Sequence, residues 1–304
     1  MTSPYGEAVV IVNPLSAHRQ FGRDLRLLDE LLATTGIEYR VETSSKAGES
    51  IDLAARAAAA GARYLIAVGG DGTINEVVNG ILTAHTGGET VLGVIPAGSG
   101  SDYIRTFGLP PKAEDAARHL SGEEYFAVDA GRVTFQAGGE QRSRWFANIA
   151  EAGIGAEVAR LAGRLPRSLK RWRYLLGFWG ALAGFRLTTG KVSLDKRIYE
   201  GRVTDLVVAN AQFYGGGMRV APRAHPADGK FDVLVMRGNR RDYIEALTKV
   251  YKGNHVPAAA IREYTSLKVA IETERPLTIE TDGEVVGKTP ATFEIVPNAF
   301  RLKI

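Results

Sequence analysis

The chain of 304 residues contains no cysteine. That absence excludes disulfide scaffolds, thiolate zinc sites, iron–sulfur clusters and cysteine nucleophiles. It fits a cytosolic protein. Long hydrophobic runs are missing too. The most apolar long window covers residues 174–185, bracketed by Arg173 and Arg186, whereas a membrane-spanning helix needs about 20 residues. No crossing of a bilayer is expected, although the segment could lie on one. The opening residues Met1-Thr2-Ser3-Pro4-Tyr5 carry neither a basic region nor an apolar run, so no signal peptide is expected. Charge of one sign is not in excess: 38 Lys and Arg against 34 Asp and Glu give a net charge of +4, too mild to argue for a nucleic-acid partner. No Walker-type G-x-x-x-x-G-K-[ST] occurs, which removes the P-loop enzymes. The five histidines show no metal-ligand spacing and read as surface or loop residues. Internal repeats and low-complexity linkers are absent.

What is present is ordinary globular material, 45% apolar and 24% charged, enough to bury real cores. The length allows two domains or one large one. Strand and helix signals alternate through the first third. Short apolar strands are expected at 8–12, 37–42, 64–68 and 91–95, with helices at 21–33, 50–60, 73–82 and about 101–107. Uniformly apolar strands between helices indicate a parallel sheet covered on both faces. The character changes near residue 126. From Val128 onward strands recur without long helices between them, at 131–136, 144–149, 191–194, 203–209, 231–236, 267–272, 277–281 and 291–297. This is an antiparallel pattern. Helical insertions at 160–185 and 242–252 interrupt it. The expected fold class is therefore α/β plus β, with a boundary near residue 127.

The strongest chemical signal is Gly69-Gly70-Asp71-Gly72-Thr73, set between a strand and a helix. Glycines let backbone approach a phosphate and take up positive φ. The helix beginning at Thr73 offers amides and a positive dipole end to an anion. Asp71 puts a carboxylate where a nucleotide's Mg²⁺ would sit; its bland alternative is an N-cap. Pro96-Ala97-Gly98-Ser99-Gly100-Ser101-Asp102 is a second loop after a strand, and Asn13-Pro14 a third. Each alone reads as an ordinary turn. Together, at the carboxyl ends of parallel strands, they would converge on one sheet edge, where open α/β sheets bind ligands. Asp282-Gly283 and Asp228-Gly229 read, by themselves, as turns between strands.

The run from Val68 to Gly80 resembles the signature of the diacylglycerol kinase catalytic family, which includes bacterial lipid kinases and, more distantly, sphingosine kinases. The resemblance continues through Asn13-Pro14, residues 96–102, Phe146-Ala147-Asn148 with Gly153, Gly215-Gly216-Gly217 with Pro222, residues 228–232 and Asp282-Gly283-Glu284. NAD kinases and phosphofructokinases share the short glycine–aspartate motif, but Asn75-Glu76 and Asn79-Gly80 look like the lipid-kinase version.

The resemblance implies an NAD kinase/diacylglycerol kinase-like α/β domain that binds ATP, at 1–127, with residues 298–304 as candidates to return to it. It also implies a β-sandwich-like lipid-substrate domain at 128–297, with the active site between the two. It implies nucleotide binding through Asn13, Pro14, Gly69, Gly70, Asp71, Gly72, Thr73, Glu76, Gly98, Ser99 and Gly100. An Mg²⁺ network would draw on Asp71, Asp129 and Ser99. Asp282 is implied as general base, with Asp71 and Glu284 beside it in catalysis, and Asp228 with Lys230 as a structural metal loop. A lipid hydroxyl is a poor nucleophile until its proton has an acceptor, and Mg²⁺ and backbone donors neutralise the charge on the transferred phosphoryl group.

Two departures bear on nucleotide affinity. Ser101 stands where the family usually has Asn, and the first loop reads Asn13-Pro14-Leu15-Ser16-Ala17-His18-Arg19, where His18, Arg19 or Arg23 could replace the family's cation. Residues 160–179 are basic first and aromatic after, the pattern of a peripheral membrane contact at the inner face of the membrane; the alternative is a packed helix with a solvated basic end. The expected activity is ATP- and Mg²⁺-dependent phosphorylation of a lipid hydroxyl, with diacylglycerol first. Sphingoid, glycerophospholipid and polyprenol alcohols, an NAD kinase, and a non-catalytic nucleotide or lipid sensor are the alternatives. A homodimer is left open.

Overall fold

The computed structural model describes residues 3–14, 21, 25–98, 102–166, 169 and 172–304. The chain divides into two compact units, Met1–Asp129 with Pro297–Ile304, and Ala130–Val296.

Unit 1 alternates β1 (Ala8–Val12), α1 (Leu25–Ala33), β2 (Tyr39–Thr43), α2 (Glu49–Ala59), β3 (Tyr64–Gly69), α3 (Asp71–Thr83), β4 (Val91–Pro96), α4 (Asp102–Thr106) and α5 (Ala113–Ala117). The strands pair in parallel in the order β2-β1-β3-β4. Fully apolar strands such as Ala8–Val12 and Tyr64–Gly69 are buried along their whole length, because helices cover both faces of the sheet. One core joins Val10, Ile66, Val68 and Ile95 to Leu28 and Leu32 of α1 and to Ala113 and Ala117 of α5. On α3, the Gly80 position is dictated by packing: a Cβ there would meet Ala54 Cβ at 2.5 Å and the Ile51 carbonyl at 2.6 Å.

The chain leaves unit 1 along β5 (Tyr125–Ala137). Unit 2 then holds β6 (Glu140–Phe146), β7 (Ile149–Gly153), α6 (Ile154–Arg164), α7 (Trp172–Ala183), β8 (Thr189–Leu194), β9 (Ile198–Arg202), β10 (Asp205–Ala209), β11 (Phe213–Tyr214), β12 (Met218–Arg219), β13 (Phe231–Met236), α8 (Arg240–Lys249), β14 (Ile261–Ser266), β15 (Lys268–Thr273) and β16 (Thr278–Thr281). The last strand, β17 (Glu284–Lys303), begins in unit 2 and ends in unit 1. Within unit 2, antiparallel pairing runs β14-β13-β10-β7-β16-β17 and, from β17 again, β15-β8-β9. Inward side chains from both runs, including Phe231, Ile271 and Phe293, make one sandwich core with Phe146 of β6. The Phe146 and Phe231 rings stack at 5.6 Å. In unit 1 the end of β17 adds a fifth parallel strand, Arg301 and Leu302 pairing with Val91 and Leu92.

Several local readings need correction. Helix α3 starts at Asp71 rather than residue 73, since Thr73 and Ile74 already donate to the Gly70 carbonyl. The expected helix at 160–185 is two helices: Leu165 turns extended (φ −87°, ψ 149°) ahead of Pro166, as the residue before a proline prefers. Helix α8 starts at Arg240, not 242, because Asn239 and Asp242 form a capping box. The run 144–149 spans the end of β6 and the start of β7, with a turn between them. Strands β9 and β14 carry too many polar residues to show an apolar run, yet each pairs a neighbour. The strand expected at 291–297 is only the middle of β17, which changes partner from β16 to β15 to β4 along its length. His255 is buried, not superficial, and its Nε2 lies 3.0 Å from the Val220 carbonyl.

Candidate active site

In unit 1, three loops leave the carboxyl ends of adjacent parallel strands. The Asn13 amide donates to the Val68 carbonyl at 3.3 Å and the Ala97 amide to the Gly69 carbonyl at 2.8 Å, so the loops after β1, β3 and β4 stand side by side. Gly69, Gly70 and Gly72 are not in the positive-φ conformation expected of them; Gly70 is extended, at φ −97° and ψ −172°. What demands glycine is proximity. A Cβ on Gly70 would lie 3.3 Å from Gly98 Cα, so the two loops pass at contact distance. Nothing stands within 4 Å of a Cβ placed on Gly72. The N-terminus of α3 and these backbones make a polar, side-chain-poor edge that suits an anion. Pro14 follows Asn13 on the same loop; Ser99 and Gly100, with Ser101, His18, Arg19 and Arg23, lie outside the described residues.

The Asp71 carboxylate ties this edge to α4. Its Oδ1 accepts the Tyr103 amide at 3.0 Å and its Oδ2 the Asp102 amide at 3.3 Å. Burial raises its pKa, opposed by the Tyr103 amide. Asp129 is buried and its Oδ1 accepts the Asn298 amide at 2.8 Å. Both are hard oxygen donors of the kind Mg²⁺ takes. Among the described residues no three His, Asp or Glu side chains are grouped to hold a metal by themselves. Thr73 and Glu76 are buried on α3. Glu76 points away from the strand ends: its Oε1 accepts the Gly48 amide at 3.0 Å and fixes the entry to α2.

In unit 2, Asp282 and Gly283 form the tight turn between β16 and β17, with Asp282 in the left-handed region at φ 48° and Gly283 at 91°. The Asp282 carboxylate grips the turn between β6 and β7: Oδ2 accepts the Ala147 amide at 2.9 Å, and Oδ1 those of Asn148 and Ile149 at 3.1 and 2.9 Å. Asn148 and Asn210 brace this turn through the Phe213 and Ala147 carbonyls. The Phe146-Ala147-Asn148 motif is thus the seat of the Asp282 carboxylate. Glu284 lies outside that seat, its Oε2 2.7 Å from an Arg144 guanidinium nitrogen at the surface.

Three carboxylates that the sequence pattern had not singled out lie on neighbouring strands. Glu151 on β7 faces Glu280 on β16, directly opposite in register, and Asp205 on β10 is opposite Gly153 of β7. All three are buried, and among the described residues Glu151 Oε2, Asp205 Oδ1 and Glu280 Oε1 have no hydrogen-bond partner. Gly155 donates to Asp205 and Gly283 to Glu280. Burial pushes all three pKa values up, Asp205 to about 7 and the two glutamates well above their usual range. Asp282 adds to the rise of Glu280, and Asp205 and Glu280 to that of Glu151. The only available signal was an acid inside a short apolar strand, as in Ile149-Ala150-Glu151-Ala152-Gly153.

The remaining candidates are dispersed. Lys230 Nζ lies 3.5 Å from Asp228 Oδ2, so the two residues expected to form a metal loop pair with each other. Of the basic stretch, Arg160 pairs with Glu157, while Arg167, Lys170 and Arg171 lie outside the described residues. Helix α7 packs on α6 through Gly177, whose Cβ would meet the Val158 carbonyl at 2.8 Å. Its opposite stripe, Trp172, Leu175, Leu176 and Trp179, is exposed. Among the described residues no helix is long and apolar enough to cross a membrane.

Two family models account for most of the chain. The model for the diacylglycerol kinase catalytic domain matches residues 7–133, and that for the YegS C-terminal NAD kinase beta sandwich-like domain matches residues 148–304. Curated diacylglycerol kinases are similar along the full length. The protein of Bacillus subtilis is 29% identical over 291 residues, 94% of this chain and 92% of that one. A Mycobacterium tuberculosis protein is 29% identical over 302 residues, 98% and 94%. A solved Bacillus anthracis structure described as a diacylglycerol kinase shares the fold, with a TM-score of 0.71 at 19% identity over 99% of this chain and 97% of that one.

Proposed function

Since the chain belongs to the diacylglycerol kinase catalytic-domain family, a family of lipid kinases, we propose that it transfers the γ-phosphate of ATP, with Mg²⁺, to a lipid hydroxyl. Diacylglycerol is the first acceptor and phosphatidic acid its product. The observation that carries this reading is the Asp282 turn, a family motif whose carboxylate is aimed and held by three backbone donors.

In this reading residues 1–127 with 298–304 bind the nucleotide and 128–297 the lipid. The backbone at Gly69, Gly70, Gly72 and Gly98 admits the phosphates, and Asn13 and the N-terminus of α3 face the same edge. Asp71 and Asp129 would hold the Mg²⁺; when bound, it neutralises charge on the phosphates. Asp282 takes the proton as the lipid O–H bond breaks, the oxygen bonds the γ-phosphorus, and the bond to the β-phosphate oxygen breaks to release ADP. Fixing the carboxylate through three amides holds it ready without reorganisation. Helix α7 and residues before it rest on the membrane, supported by the exposed Trp172, Leu176 and Trp179.

The test is transfer from γ-labelled ATP with Mg²⁺ to a mixed lipid extract. Labelled phosphatidic acid from wild type, lost in Asp282→Asn and Asp71→Asn, is the expected result. Label in another lipid alcohol changes the acceptor; label in NAD alone, or nucleotide binding without any transfer, overturns the reading.

A further inference from the structure

Helix α7 ends beside an arginine-rich groove. Phe185, Arg186, Asn239, Arg240, Arg241 and Arg275 line it, all four guanidinium side chains on exposed residues. Arg240 donates to the carbonyls of Ala183 and Phe185, 3.0 and 3.5 Å away, and so closes the C-terminal end of α7. Among the described residues, none of the four has an acidic side chain within ion-pair distance. Four like charges in one open groove repel one another. Such an arrangement is stabilised by an external anion, and guanidinium forks match the oxygens of a phosphate.

The groove adjoins an apolar stripe. Trp172, Leu175, Leu176 and Trp179 recur at helical spacing on the side of α7 opposite its buried Gly177 and Ala181, with 57% of Trp172 and 50% of Trp179 exposed. From Trp179 to the groove at Ala183 is about 6 Å along the helix axis. An apolar stripe carrying two tryptophans and ending in cations has the chemistry of the interfacial layer of an anionic bilayer. A second copy of the chain is a poorer occupant, because neither the stripe nor the groove carries an acidic side chain to meet the arginines of a partner.

We propose that the α7 stripe and the Arg186–Arg240–Arg241–Arg275 groove form one docking surface for an anionic phospholipid membrane, with a headgroup phosphate seated in the groove. The docking rests on the lipid-kinase reading only for its purpose; the surface chemistry stands by itself.

The experiment compares wild type with an Arg186→Ala/Arg241→Ala/Arg275→Ala variant, keeping Arg240 because it closes α7. Co-sedimentation is measured with phosphatidylcholine vesicles and with vesicles that also contain phosphatidylglycerol. Wild type is expected to bind the anionic vesicles preferentially. The variant should lose affinity for them on the order of a hundredfold, from three cations near the surface, while phosphorylating short-chain diacylglycerol in detergent at the wild-type rate. Replacing the three arginines by lysine should restore part of the binding. Unchanged vesicle binding in the alanine variant overturns the proposal. So does inorganic phosphate that binds the groove equally well without lipid, which would make the ligand a free anion. A wild-type dimer that falls to monomer in Trp172→Ser/Trp179→Ser puts a second copy on the stripe and also overturns it. Groove-dependent vesicle binding by a protein that transfers no phosphate would sink the kinase reading and leave this one standing.

Discussion

The carboxyl edge of the unit 1 sheet and the strand face behind the Asp282 turn in unit 2 handle polar groups in opposite ways. At the first, apolar strands stop and chemistry begins in the loops: Gly70 and Gly98 clear the space, and Asp71 spans to α4. On the second, the polar groups lie within the strands themselves. Glu151, Asp205 and Glu280 occupy positions that would be filled by apolar residues in an ordinary sandwich, and three of their oxygens have no partner among the described residues. Glu280 and Asp282 are two residues apart on one strand and its turn, yet their environments differ sharply. Asp282 receives three backbone amides, whereas Glu280 is buried with one amide and the Tyr214 side chain beside it. Burial, with only one backbone amide to offset it, pushes the Glu280 carboxyl well above its usual range, and the charge of Asp282 two residues away adds to the rise.

The strongest way to break this contrast is at Asp282. Asp282→Asn keeps the shape but turns one oxygen into a donor that faces backbone amides. Transfer should fall at least about a hundredfold, the usual range for a lost general base. Asp282→Ala should in addition cost about 2–4 kcal/mol of stability, because three amides lose their acceptor. Urea unfolding read beside the transfer rate separates the two effects. A stable Asp282→Ala protein that still transfers phosphate would leave the turn without the role assigned to it.

The corresponding break in unit 1 is steric. Gly80→Val on α3 must push branched methyl groups into Ala54 and the Ile51 carbonyl on α2. A loss of about 2–3 kcal/mol is expected, within the range for overpacking, with the loop edge at the other end of α3 disturbed only as far as α3 moves. Unchanged thermal stability would mean that α2 gives way more easily than its buried contacts indicate.

A smaller effect sharpens the electrostatic side. Asp205 has its pKa raised to about 7 in the folded chain, against about 3.9 unfolded. An acid with a raised folded pKa binds more protons in the native state, so its penalty is absent below about pH 4, grows as pH rises towards 7, and is complete above that. Glu151 and Glu280 push in the same direction. Wild type should therefore lose stability between pH 5 and pH 8. Asp205→Asn, which keeps an oxygen for the Gly155 amide, should flatten that slope. The urea midpoint at the two pH values decides it, and parallel slopes for both proteins would show that Asp205 titrates elsewhere.

The same contrast explains what could be read in advance. The parallel strands were legible because burial on both faces writes them as continuous apolar runs, and the loops because glycine at a strand end has few other uses. The reason for the glycine was not legible: Gly70 answers to Gly98, which lies 28 residues on, and no local φ preference signals such a contact. Strands β9 and β14 were hidden by their polar exposed faces, and β17 by Pro290 and Gly287, which look like stops but lie where the strand changes partner. The α7 stripe was visible as composition, but its exposure was not, since a buried helix would have the same sequence. The buried acids were least legible, because pairing of Glu151 with Glu280 depends on register between strands more than a hundred residues apart.

The smallest predicted effect concerns Glu284, which shares its motif with Asp282 but not its setting. Its partner Arg144 is 2.7 Å away, and 45% of the Glu284 side chain is open to solvent. An exposed pair of this kind contributes at most about 1 kcal/mol, so Glu284→Gln should leave the unfolding midpoint nearly unchanged. Any loss of transfer in that variant then belongs to chemistry rather than folding. If Glu284 assists Asp282, the rate should fall while KM for the lipid stays put; if it only anchors Arg144 at the surface, Arg144→Met should reproduce its small effect on both. Asp282 and Glu284 are separated by a single glycine, and the difference between them would then come entirely from what surrounds each: three amides on one side of the turn, water and one guanidinium on the other.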